Sequence, residues 1–341
     1  MDSRYQLYGV LGSPYAAKLR AIFRYRRIPF NWMPAGFDWS PGHYRVRPEL
    51  QGVEPRIIPI VRFPDGTFHT DSTVIAYELE GSHADRSLVP ADPGLAFLAD
   101  LIEDMGDEWI LKVAFHYRWS NEEDRNFTNR LILAELLGGG VPQAEIVAAA
   151  NQFRDRQMSR LPLVGCIPAN GPLIEETYRL VLEAVSSLRE RSAFLFGSRP
   201  SLGDFGLFGT LFTCRNDPTP GTIMKRTSAG VLDWLYVLDE ASGVEGQWAE
   251  PQAVDPGVIQ LLRLAGSTYL PFLIANEVAF EQRAACVKLE ALGRVFEQTP
   301  FRYQVKCLRR LRHKFAALEG SAKRRTEELL EANGCLSAFR Q

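Results

Sequence analysis

Cysteine is scarce, and what there is stands apart: Cys166, Cys214, Cys286, Cys307 and Cys335 are odd in number and form no Cys-x-x-Cys pair. That pattern excludes a disulfide framework and offers no zinc site, so the thiols read as reduced and mostly buried, and no metal is expected. Long hydrophobic runs are also lacking. No apolar stretch approaches the roughly 18 residues of a membrane span, and the opening Met-Asp-Ser-Arg-Tyr has neither the basic nor the apolar part of a leader. The expectation is a cytoplasmic protein without a membrane span. An excess of one charge is absent as well: the net charge is −2, which gives no global reason to expect nucleic acid. Only the segment from Arg302 to Arg325 is dense in Lys and Arg, and it reads either as a solvated helix face or as a local contact for anions.

What is present is enough for a folded chain throughout. With 46% hydrophobic and 23% charged residues over 341 positions, two or three domains with a large core are expected. No internal repeat is visible. Residues 5 to 10 form a strand pattern, and Ser13-Pro14 supplies a cap and first-turn proline for a helix reaching about Arg27. Phe30 to Met33 gives a second strand. Ile57 to Phe63, the turn Asp65-Gly66 and Thr67 to Thr70 make a hairpin, and Asp71 or Ser72 caps the next helix.

Beyond Gly81 to Asp92 the strand signals fade. Leu98, Leu101, Ile102, Met105 and Trp109 mark a helix by their spacing, and further helices are predicted near 122–137, 143–158, 172–190, 202–214, 228–240, 256–283 and 302–331. Ser201 and Asp204, three apart before an apolar run, have capping-box geometry.

Four of these places, in this order and on this β-α-β-β-α pattern, resemble the glutathione transferases: Leu7-Tyr8-Gly9 with Ser13-Pro14-Tyr15, Ile58-Pro59-Ile60, Asp71-Ser72, and Ser201-Leu-Gly-Asp204. The resemblance spans roughly residues 5 to 245 and gives no support beyond about 250. It implies an α/β plus all-α fold: a thioredoxin-like glutathione-binding domain (1–82), a helical second-substrate domain (92–248), and here a helical C-terminal extension (249–341) packed on the latter. It also implies glutathione as co-substrate, a hydrophobic small molecule as second substrate, and a homodimer.

The site residues follow from the match. A thiol is mostly protonated at neutral pH and its thiolate is the nucleophile. The Ser13 hydroxyl and the helix beginning at Pro14 both favour the anion, although Ser13 could act only as a cap and Tyr15 could be the donor. The resemblance implies a cis bond before Pro59, with the Ile58 backbone pairing glutathione's cysteinyl segment. Asp71 and Ser72 would hold its γ-glutamyl end. The family often has Lys or Gln where Ile57 stands, so the glycyl end falls to Arg56, Trp39 or His43. Phe115-His116-Tyr117-Arg118-Trp119 then offers either an aromatic pocket, with Tyr15, His116 and Trp119 on it, or plain core. A non-catalytic scaffold and a glutathione-dependent disulfide reductase are the rival readings.

Overall fold

The computed structural model describes residues 4–35, 47–137 and 142–340. The chain opens on β1 (Tyr5–Gly9), α1 (Pro14–Tyr25) and β2 (Phe30–Pro34), with β1 and β2 parallel from Tyr5 opposite Phe30 to Gly9 opposite Pro34. Then β3 (Ile60–Arg62) and β4 (Phe68–Thr70) form the expected hairpin, whose turn contains Gly66 at φ 92°. Placing β3 antiparallel to β1 gives the order β2-β1-β3-β4, and α2 (Ser72–Ser82) follows. This is a thioredoxin-like domain. The Ile58–Pro59 peptide is cis, as is Glu54–Pro55. Strand pairing starts at Ile60 rather than Ile57, since Pro59 has no N–H for the ladder.

Helices make up most of the rest: α3 (Pro93–Met105), a π turn (Gly106–Ile110), α4 (Leu111–Ser120), α5 (Glu122–Leu137), α6 (Gln143–Met158), α7 (Gly171–Arg189), α8 (Leu202–Asn216), α9 (Pro218–Thr227) and α10 (Ala229–Asp239). The capping box at the start of α8 is present: the N–H and Oγ of Ser201 donate to Asp204 Oδ2 at 2.8 and 2.7 Å, all buried. Two glycines let α3 and α8 touch. A methyl group on Gly206 would lie 2.6 Å from the Glu103 Cα, and one on Gly106 would lie 2.7 Å from the Gly206 carbonyl carbon.

The last stretch comprises α11 (Pro256–Leu264), a second π turn (Ala265–Tyr269), α12 (Leu270–Glu281), β5 (Val287–Ala291), β6 (Arg294–Gln298), α13 (Arg302–Ala316) and α14 (Gly320–Ala332). Two features differ from the sequence reading. The β5–β6 hairpin is new, closed by Leu292 and Gly293 at φ 49° and 71°, the positive values that a two-residue I′ turn requires. The single helix expected over 302–331 is two, parted before Gly320, which has φ 56°.

The continuous run Pro256–Glu281 is, by length and composition alone, long and apolar enough to cross a membrane, contrary to the sequence reading, which missed it because Arg263 and Glu277 interrupt the pattern. In this structure 56% of its most apolar stretch is buried against the rest of the chain. Its packing on α7, α3 and α13 accounts for that apolarity, and one core runs from Leu7 through Leu261 and Phe272 to Phe339.

Candidate active site

The loop between β1 and α1 is pinned from below. Glu135 of α5 accepts from the N–H groups of Leu11 (2.6 Å) and Gly12 (3.3 Å), while Arg118 of α4 donates to the Gly12 carbonyl at 2.6 Å. From α8, Gly209 comes so close that a methyl there would lie 2.7 Å from the Pro14 carbonyl. Ser13 is thereby fixed at the start of α1, its Oγ accepting from the Ala16 N–H at a long 3.4 Å. Among the described residues its own hydrogen has no acceptor.

Ser13 lines a cavity of about 300 Å³. The walls include Ile58 from the cis-proline loop, Phe115 and Trp119 from α4, Ile132 and Leu136 from α5, and Phe153 from α6. The rings of Trp119 and Phe153 pack at a tilt of 58°, with centroids 6.0 Å apart. The expected juxtaposition of a hydroxyl, the Ile58 segment and an aromatic-walled space is therefore present. Arg56, more than half exposed and 3.5 Å from Glu54, lies on this same cavity.

A second cavity of about 190 Å³ lies on the other side of Tyr15 and Ile58. It is bounded by Pro59, Asp71 and Ser72, so the expected glutathione residues converge there. Asp71 is the N-cap of α2: its Oδ1 accepts from the N–H groups of Thr73 (3.1 Å) and Val74 (3.4 Å), and its φ of 76° is left-handed, a region that Asp tolerates better than most residues. Ser72, in the first turn, is buried. Three residues the sequence reading did not assign complete the walls: Phe301, Tyr303 and Arg310, all from the C-terminal extension. Tyr303 reaches Asp71 itself, its hydroxyl donating to Oδ2 at 2.7 Å.

Under this cavity lie four buried or nearly buried carboxylates, Glu103 and Asp104 at the end of α3 and Asp107 and Glu108 in the π turn. Lys18 of α1, wholly buried, answers Glu103 (2.5 Å) and Asp107 (2.6 Å). Burial alone would lower its pKa, but Asp107 and Glu103 outweigh that and raise it. Burial pushes Asp107 up to about 7, with Lys18 opposing, and pushes Glu108 up to about 8, where the charges of Asp104 and Asp107 add to it. The extension supplies the other partners in antiparallel rungs: Lys314 with Asp100 (2.6 Å), Arg310 with Asp104, and Gln304 with Glu108 (3.1 Å). Arg325 meets Asp92 at the start of α3 at 2.6 Å. The basic segment is thus divided: Arg302, Lys306, Arg309 and Arg324 are exposed, while Arg310, Lys314 and Arg325 turn inward. The anions these inward residues meet are carboxylates of α3 and its N-cap Asp92.

Residues 7–87 match the model of the glutathione S-transferase N-terminal domain. The match is confined to this N-terminal domain, so residues 7–87 are of the glutathione S-transferase N-terminal type. Solved structures similar to it include a GST-like protein from Pseudomonas syringae, at 16% identity over 72% of this chain and 70% of that one, with a TM-score of 0.45. Beta-etherase LigF from Sphingobium sp. strain SYK-6 is 17% identical over 75% and 98%, with a TM-score of 0.46. A glutathione S-transferase from Methylobacterium radiotolerans, in complex with glutathione sulfonate, is 18% identical over 72% and 96%, with a TM-score of 0.41. No curated protein matches the chain.

Two expected residues are corrected. His116 does not line the cavity: its Nε2 bonds Glu175 at 2.9 Å and its ring packs beside Gly171, because α4 turns that side toward α7. Tyr15 lies between both cavities, but its hydroxyl donates to the Asp107 carbonyl at 3.0 Å, and burial, with Glu108 and Asp107, raises its pKa well above the usual value. It is therefore a committed donor, and Ser13 keeps the free hydrogen. Trp39 and His43 lie outside the described residues. Lys18, Tyr303 and Arg310 escaped the sequence reading. The available signal was periodic: Asp100, Asp104 and Glu108 recur every four residues, as do Lys306, Arg310 and Lys314.

Proposed function

We propose that the protein is a glutathione-dependent transferase acting on a hydrophobic electrophile. One observation carries the reading: the Ser13 hydroxyl, with its hydrogen uncommitted, faces the same apolar-walled cavity as Ile58 and Trp119. Glutathione laid along Ile58, with its γ-glutamyl ammonium at Asp71, would bring its sulfur to Ser13. A hydrogen bond from Ser13 and the positive end of α1 would then hold the thiolate. That thiolate would attack an electrophilic carbon in the aromatic-walled space, where the scarcity of water strengthens the attraction between charges. Substitution, addition and isomerisation share this first step. We propose that it works in the cytoplasm as a homodimer, for which the exposed Phe127 and Leu131 of α5 offer an apolar face. The test is conjugation of glutathione to 1-chloro-2,4-dinitrobenzene by the full chain and by Ser13→Ala. Absence of any glutathione binding in calorimetry would end the proposal.

A second reading, a scaffold that keeps the fold without catalysis, draws support from Tyr303, whose hydroxyl occupies the carboxylate that the ammonium would use. Calorimetry separates the two readings. Among the described residues no cysteine lines either cavity, so no observation favours a disulfide reductase.

A further inference from the structure

The helix α13 has two sides of opposite character. Val305, Leu308 and Leu311 are buried, while Arg302, Lys306 and Arg309 recur at spacings of four and three and are exposed along one stripe. The end of α12 comes alongside with Phe280 and Arg283, and together these residues line a groove of about 360 Å³. The charges there do not cancel. Arg309 is answered by Glu277 (3.0 Å) and Glu281 (2.8 Å), but the side chains of Arg283, Arg302 and Lys306 form no hydrogen bond or ion pair among the described residues. Two of these cations also work against local structure. Arg283 has φ 53°, the left-handed value just past a helix that glycine adopts without strain. Arg302 stands in the first turn of α13, which holds no acidic residue, so its charge opposes the positive end of that helix. Both side chains are exposed, so neither choice is explained by packing. Local rules broken together at one place, without a gain for the fold, mark a functional surface.

Two aromatic rings stand out beside the cations. Phe280 is 39% exposed and Phe301, the residue before Arg302, is 44% exposed. Asn276 holds the Phe301 backbone on both sides, its Oδ1 accepting from the N–H at 2.8 Å and its Nδ2 donating to the carbonyl at 3.0 Å, so this ring projects from a fixed point. We propose that the surface docks on an anionic bilayer, with Arg283, Arg302 and Lys306 against lipid phosphates and the rings of Phe280 and Phe301 in the headgroup layer. A bilayer answers both features at once: its surface charge attracts cations that have no fixed partner, and its boundary region receives apolar rings that water does not favour. The docking is peripheral and reversible, and it goes beyond the transferase reading without depending on it.

The experiment sediments the full chain with vesicles of phosphatidylcholine alone or of phosphatidylcholine and phosphatidylglycerol in equal parts. Binding is expected on the mixed vesicles only, and it should weaken as salt rises from about 0.1 M to about 1 M and the Debye length shrinks. Each cation near such a surface is worth roughly fivefold in affinity, so Arg302→Glu combined with Lys306→Glu should weaken binding by about 25-fold or more. The control is Lys225→Glu combined with Arg226→Glu, an equal change of net charge at exposed positions of α9, and it should leave binding unchanged. A thermal melt reports whether the reversed charges disturb folding; if they do, Arg302→Gln with Lys306→Gln gives the loss without reversal. No binding to the mixed vesicles, equal losses in the α13 and α9 variants, or undiminished binding after the α13 changes would overturn the proposal. A fluorescent poly-glutamate peptide is titrated alongside by anisotropy. Peptide binding without vesicle binding would make the surface an interface for an acidic protein and overturn the lipid assignment.

Discussion

The hydroxyl of Tyr303, on the C-terminal α13, donates to Oδ2 of Asp71 at the start of α2, 2.7 Å away and 232 residues earlier in the chain. The carboxylate proposed to hold the ammonium of glutathione already has a partner. Bound glutathione must displace that hydroxyl or share the carboxylate with it. Tyr303→Phe removes the competitor. A hydrogen bond to a charged group is worth about 1.5–3 kcal/mol, so calorimetry should show glutathione binding tighter by about tenfold to a hundredfold. Weaker binding in the variant would make Tyr303 part of the site rather than its cover.

Asp71→Asn keeps an acceptor for the N–H groups of Thr73 and Val74 but removes the charge. Fold stability should change little, while glutathione affinity falls by about 1.5–3 kcal/mol. An unchanged dissociation constant with the same melting temperature would take Asp71 out of the site.

Ser13→Ala should raise the pKa of the bound thiol by roughly 1–2 units, since about 1.5–3 kcal/mol of stabilisation for the anion is lost and one unit is about 1.4 kcal/mol. The positive end of α1 persists, so turnover lost at neutral pH should return as pH rises. Thiolate absorbance of the glutathione complex, followed against pH in both proteins, gives the shift. Coincident curves would leave Ser13 as a cap only.

Lys18 is wholly buried between Glu103 and Asp107. Lys18→Met leaves Asp107 without its cation and Glu103 with only the more distant Arg310 (3.9 Å), a loss of about 3–5 kcal/mol that denaturant unfolding would register. A near-neutral result would mean that the carboxylates take up protons instead.

Glu108, held at about 8 by burial and then by Asp104 and Asp107, carries a proton in the folded chain that the unfolded chain loses near pH 4. Between those limits the folded state binds more protons, so the contribution of this group to stability falls as pH rises. Glu108→Gln retains a polar partner for Gln304 and cancels that fall. Its gain in melting temperature over the parent should be larger at about pH 8 than at about pH 5.5, where most of the penalty is absent in both proteins. A gain that does not vary with pH would show that Glu108 titrates normally.

Much of this was legible in the sequence because it is local. Ser13 before Pro14, Asp71 before α2 and the Ser201–Asp204 box each declare themselves within a few residues, and helices such as α5 and α6 follow from apolar spacing. The pairing of Asp104 with Arg310 and of Asp71 with Tyr303 crosses some two hundred residues, and no periodicity within one helix indicates which distant helix will face it. His116 misled for a related reason: an aromatic run on α4 shows that one face is buried, but the contact with Glu175 of α7 decides which residues look into the cavity. The β5–β6 hairpin was missed because its turn uses Leu292 where a small or polar residue would have signalled it.

The antiparallel rungs between α3 and α13 tie the history of one helix to that of the other. Asp100 and Asp104 are tolerable in the interior only while Lys314 and Arg310 are encoded downstream. A lineage that lost the final segment would have to neutralise those carboxylates by substitution or lose the fold. Across relatives of different length, acid at these two positions should therefore come and go with the tail, so that a gene truncated near codon 300 is recognisable from its third helix alone.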